Sequence, residues 1–141
     1  MLRVVLDTNV LVAAIRSRQG ASYALVSSIP SEDFRPCLSI GLYAEWLDVL
    51  TRPVNLAPGR TSEDAASFVR YLASQSHLQE IHFLWRPFLV DPDDDMLLEL
   101  ALAAGCEYII TYNVRDFSGS DQFGVAALTP REFLKRIGKM P

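Results

Sequence analysis

Four acidic residues in four separate segments are this chain's best candidates for chemistry: Asp7, Glu45, Asp94 and Asp116. Asp7 directly follows the apolar run Arg3-Val-Val-Leu6. An aspartate there either caps the next helix, a task open also to Thr8 and Asn9, or holds a metal or phosphoryl group at a strand end. Glu45 lies inside a largely apolar helical stretch, where periodicity allows either a solvated face or a cleft. Asp116 stands in Thr111-Tyr112-Asn113-Val114-Arg115-Asp116-Phe117, after a second apolar strand. A plain loop turn is the alternative there, and Asn113 is itself a turn former.

The run Asp91-Pro92-Asp93-Asp94-Asp95 carries more information. Acidic residues in a helix's first turn are favoured by the macrodipole, which accounts for the group as a whole. Helical geometry then separates its members. At about 100° per residue, Asp94 falls near the centre of the face defined by Leu97, Leu98, Ala101 and Ala104, while Asp93 and Asp95 point to its flanks. A carboxylate aimed toward a sheet is costly unless paired or bound to a cation. Four such groups converging in one cleft would repel one another, and no lysine is adjacent to any of them in sequence. A divalent cation is the simplest compensation, and an all-oxygen site favours magnesium or manganese over zinc or copper.

The elements that must position these acids follow from pattern. Arg3 to Leu6 is a strand feeding a helix whose apolar face is Val10, Leu11, Ala14 and Ile15, with a second helix from about Ala21 to Ser28. Arg35 to Leu38 is a short strand, and Ser39 caps a helix from Ile40 to about Leu50 with apolar positions Ile40, Tyr43, Trp46, Leu47 and Leu50. After a Pro- and Gly-containing loop, Thr61-Ser62-Glu63-Asp64 opens a helix carrying Phe68, Val69 and Leu72. Gln79 to Phe83 reads as a strand or extended connection. Asp91-Pro92 starts a helix that stops at Gly105. Tyr108 to Thr111 and Val125 to Leu128 are strands, and Thr129 caps a final helix to about Ile137. The expectation is one α/β domain over residues 1–141, with a mainly parallel central sheet flanked by helices. Asp7 and the Thr111–Asp116 segment then lie where such sheets bind ligands, at the carboxyl ends of strands.

Bulk properties narrow the function classes. Half the residues are hydrophobic and 21% are charged, the range of an ordinary globular domain. With the first strand starting near Arg3 and no apolar run of spanning length, the expectation is a cytoplasmic protein with no membrane association. Cys37 and Cys106 form no CxxC pair, and His77 and His82 lack ligand spacing, so zinc chemistry and a Ser-His-Asp triad are poorly supported. A net charge of -4 argues against a broad basic face for nucleic acid. A local rim remains open, since Arg16, Arg18, Arg52, Arg86 and Arg115 sit near the motifs and guanidinium forks suit phosphate.

Taken in order, Leu6-Asp7-Thr8-Asn9-Val10, Glu45 in a helix after Ser39, Asp94 leading Met-Leu-Leu-Glu-Leu-Ala, and Thr-Tyr-Asn-Val-Arg-Asp-Phe at 111–117 resemble the PIN-domain family across nearly the whole chain. The branch it most resembles is the toxin ribonucleases of bacterial and archaeal VapBC-type toxin-antitoxin pairs. The resemblance implies a three-layer, Rossmann-like PIN fold and a magnesium- or manganese-dependent endoribonuclease that hydrolyses phosphodiester bonds in RNA. It implies metal ligation by Asp7, Asp94 and Asp116, with Glu45 as an outer ligand or water-orienting group. Asn9, Thr111 and Asn113 become supporting polar groups, and Asn113 stands where related proteins often carry aspartate. Homodimers and a small antitoxin protein are the implied partners.

Other readings differ in the residues they require. A haloacid-dehalogenase-type phosphoryl transferase would want a second acid in place of Asn9 and a later lysine, and a response-regulator receiver would want paired acids at the first strand. A PIN-like module that only binds RNA or protein would be expected to have lost acids that this chain retains. A metal-dependent DNA or flap nuclease would use the same four.

Overall fold

The computed structural model describes residues 1–82, 88–89 and 91–140. Its centre is a five-stranded sheet, all parallel, formed by β1 (Leu2–Leu6), β2 (Phe34–Leu38), β3 (His77–Leu78), β4 (Tyr108–Ile110) and β5 (Ala126–Leu128) in the order β3-β2-β1-β4-β5. Helices α1 (Thr8–Arg16), α2 (Ala21–Ser27), α3 (Ile40–Leu50), α4 (Ser62–Ser74), α5 (Pro92–Ala104) and α6 (Pro130–Arg136) flank it. The chain steps outward from β1 to β2 and β3 on one side, then to β4 and β5 on the other. The order therefore reverses between β1 and β4, where the crevice of an open α/β sheet forms.

β1 sits in the middle because Val4, Val5 and Leu6 have no exposed surface and can be covered on both faces. Its register with β4 pairs Leu6 with Ile110, so the residues after both strands emerge side by side. α5 packs on β1, β2 and β4 through buried Leu97, Leu98, Leu100, Ala101 and Ala104. It begins at Asp91, whose side chain accepts the Asp93 N–H, with Pro92 in the first turn. It ends at Gly105, where φ of +68° needs a residue without a Cβ. Capping boxes Thr61/Asp64 and Thr129/Glu132 open α4 and α6, and Ser39 accepts the Leu42 N–H to open α3.

Two expectations change. The stretch from Gln79, expected as a strand or an extended connection, carries no regular structure over 79–82; the strand lies just before it, at His77–Leu78, and Phe83 falls outside the described residues. β2 stops at Leu38 because Ser39 caps α3, and Gln79 N–H takes the Leu38 carbonyl at 2.8 Å. Ile40, expected in the core, is 89% exposed, because Leu42, Trp46 and Leu50, one turn apart along α3, form the buried line. Among the described residues no helix is long and apolar enough to cross a membrane.

Candidate active site

Asp7 occupies the position before α1, yet its side chain makes no capping hydrogen bond. Its Oδ2 instead accepts from Thr111 Oγ1 at 2.8 Å and lies 3.4 Å from Asn9 Nδ2. Its backbone N–H extends the sheet to the Ile110 carbonyl at 2.9 Å. Thr111 is fully buried and also accepts the Asn113 N–H at 3.0 Å. Asn9 Oδ1 accepts the Tyr112 N–H at 3.4 Å, so one amide touches both Asp7 and the loop after β4. These bonds fix the Asp7 carboxylate at the β1/β4 boundary.

Glu45 reaches the same region from α3. Thr8 Oγ1, on a residue only 6% exposed, donates to its Oε2 at 2.5 Å. Helical periodicity leaves Glu45's direction open, and in the sequence Thr8 offers only a capping role. Its first-turn position in α1, facing α3, turns it into the group that holds Glu45.

Asp94 lies in the first turn of α5 and Asp116 on a short 3-10 helix, Val114–Phe117, that packs against α5. Burial pushes the Asp94 carboxyl up to about 6, helped by the negative charges of Asp91, Asp116, Asp7 and Asp93 in that order. Burial also raises Asp7, and Glu45 adds to the rise, while the Thr111 hydrogen bond and the Thr8 and Asn9 N–H groups oppose it. The four acids are thus linked as a chain of mutually repelling neighbours. Among the described residues no lysine or arginine pairs with any of them.

The flanking acids behave differently. Asp93 is exposed, and Asp95 Oδ1 accepts the Phe88 and Leu89 N–H groups at 3.2 and 2.7 Å, a structural task the sequence did not signal. Asn113 is exposed and its side chain caps nothing. Of the arginines, Arg16 is tied to Val54 O and Asn55 Oδ1 and Arg52 to Asp48, so neither is a free phosphate contact. Arg18 lines a groove between α1, α2 and α4, Arg115 is exposed beside Asp116, and Arg86 lies outside the described residues.

Whether the acids fit a cation can be judged from their chemistry. They are hard oxygen donors, they carry uncompensated like charge, and that charge raises the proton affinity of Asp94. Among the described residues, however, no three His, Cys, Asp or Glu side chains already close around one point as a cage. Hard carboxylate donors of this kind suit a hard divalent cation. A groove of about 950 Å³ runs beside this region, lined by Leu38, Ile40, Tyr43, Leu78 and Met96 among others. None of the four carboxylates lines it, so volume alone does not mark the site.

Comparison with solved structures finds VapBC-1 from nontypeable Haemophilus influenzae, at TM-score 0.61 and 17% identity over 92% of this chain and 98% of that one. VapBC2 from Rickettsia felis, bound to a DNA fragment from its promoter, matches at TM-score 0.60 and 15% identity, over 90% and 99%. At such identities these likenesses establish the fold. No curated protein matches. A sequence model described as PIN domain matches residues 3–115 and stops one residue short of Asp116. With four-fifths of its length covered by that match and its sheet shared with VapBC structures, the chain belongs to the PIN-domain family.

Proposed function

We propose that the chain, acting as one domain over residues 1–141, is a divalent-metal-dependent endoribonuclease and the toxin of a toxin-antitoxin pair. PIN domains are as a class nucleases, which supports phosphodiester hydrolysis. The observation that supports the reading is that Asp7 is fixed by Thr111 at the β1/β4 reversal and that its charge and that of Asp116 bear on Asp94, with no cationic side chain among the described residues paired to any of the three.

In this reading Asp7, Asp94 and Asp116 hold magnesium or manganese, directly or through water. When bound, the metal supplies charge neutralisation at the phosphate and lowers the pKa of water. Thr111 and Asn9 keep Asp7 in place as the substrate enters. Glu45, fixed by Thr8, orients a water toward the phosphorus on the side of α3. Asn113 contributes through its backbone, whose N–H locks Thr111.

The structural likeness to VapBC proteins supports a small antitoxin partner. Exposed Ile40 and Leu78, beside the 950 Å³ groove, support pairing with a second copy of the chain. The test is cleavage of matched single-stranded RNA, single-stranded DNA and flap DNA with manganese and with chelator. RNA cleavage confined to manganese is expected. Preference for either DNA would replace the ribonuclease reading with that of a DNA nuclease, and no cleavage of any substrate would leave a binding module.

A further inference from the structure

We propose that Tyr112 is a stacking platform for an unpaired base of the nucleic acid held at the acidic cluster, an inference that rests on the nuclease reading above. Tyr112 is 47% exposed, although it lies directly after buried Thr111. Its phenol oxygen hydrogen-bonds Ser22 Oγ, on a residue 1% exposed in α2. Its backbone N–H is held by Asn9, the same side chain that touches Asp7. The ring is therefore fixed at its hydroxyl and at its backbone. Both polar handles are already used within the protein, so the part left to solvent is apolar ring surface.

A base offers the matching π-face, and base–aromatic stacking tolerates any sequence. The location favours it as well. Tyr112 follows the residue that bonds Asp7, and Arg115, exposed three positions later, forms no ion pair among the described residues. A base on Tyr112 would leave its flanking phosphates near Arg115 and the carboxylates. In a chain of net charge -4, binding cannot draw on many phosphate contacts, which makes stacking a larger share of the affinity.

A purely structural role is the competing account: Tyr112 would only tie the loop after β4 to α2 through Ser22. Two variants separate these. Tyr112→Phe loses the bond to Ser22 and keeps the ring, whereas Tyr112→Leu loses the ring. Binding of labelled eight-nucleotide single-stranded RNA and DNA is followed by fluorescence anisotropy in calcium, each sequence also prepared with one abasic position at a time. We expect one abasic position to weaken parental binding roughly tenfold, Tyr112→Phe to stay within about twofold, and Tyr112→Leu to bind roughly tenfold more weakly with that abasic penalty gone. Melting curves confirm that both variants are folded. If Tyr112→Phe loses as much as Tyr112→Leu, or Tyr112→Leu binds like the parent, the proposal is overturned while the nuclease reading stands. If the parent binds neither oligonucleotide, the nuclease reading fails and takes the proposal with it.

Discussion

Thr111 donates its hydroxyl to Asp7 across 2.8 Å, joining the residue after β4 to the residue after β1 at the point where the strand order reverses. The hydroxyl is buried and two-sided, since it also accepts the Asn113 N–H. Thr111→Val keeps shape but strips both bonds. It should destabilise the fold by about 1–3 kcal/mol, the cost of leaving buried polar groups unpartnered, and lower cleavage at saturating metal. Urea unfolding and initial rates check this. Unchanged stability together with unchanged rate would mean that the Thr111–Asp7 bond positions nothing.

The like charges around Asp94 predict an effect of opposite sign. Asp94→Asn removes one repelling charge at nearly constant volume, so the variant should melt several degrees higher than the parent in chelator. It should also gain less from added manganese, because one ligand is lost. Calorimetric melts with and without manganese measure both shifts. A lower melting point in chelator with a full manganese shift would make Asp94 a structural group.

The same raised pKa sets a pH dependence. Folded Asp94 keeps its proton until about pH 6, whereas in the unfolded chain it is released near the ordinary aspartate value of 3.8. The folded state thus binds more protons across that interval, and this group's contribution to stability is full below it and is lost as pH rises through it. Metal-free parent should therefore lose stability relative to Asp94→Asn between about pH 4 and pH 6. Parallel stability curves for the two proteins over that range would contradict the assignment.

Asp95 predicts a separation of stability from activity. Its carboxylate holds the Phe88 and Leu89 N–H groups, so Asp95→Ala should cost about 1–3 kcal/mol while the rate per folded molecule changes little. Asp93→Asn, at an exposed position, should change neither. A rate collapse in Asp95→Ala at full folding would move the active cleft to the other face of α5.

How much of this was legible in the sequence depends on the range of the interaction involved. The helical phase of Leu97, Leu98, Ala101 and Ala104 separated Asp94 from its neighbours, because 100° per residue is a local rule that burial in α5 obeys. The caps at Ser39, Thr61, Asp91 and Thr129 and the stop at Gly105 were local too. What the sequence could not supply was contact between distant segments. Glu45's direction depends on Thr8, 37 residues away, and the mooring of Tyr112 on Ser22, 90 residues away. Where the edge strand falls, at His77–Leu78 rather than within the stretch from Gln79, rests on long-range pairing too, since its residues pair with Cys37 and Leu38 of β2. Ile40 shows the limit of periodicity at a helix's first residue, where an apolar side chain precedes the packed turns.

Whether Asp94 supports a catalytic metal is decided by comparing three proteins on one single-stranded RNA with manganese: the parent, Asp94→Asn and Asp93→Asn. The two variants lose one carboxylate each from adjacent positions of the same helix, so helix propensity, net charge and handling are matched. The parent and Asp93→Asn should cleave at rates within about threefold of each other. Asp94→Asn should fall by about a hundredfold or more, in keeping with losing a group that supports a catalytic metal. Chelator should silence all three. Equal rates for Asp94→Asn and the parent, or undiminished cleavage in chelator, would contradict a metal-dependent site built on Asp7, Glu45, Asp94 and Asp116.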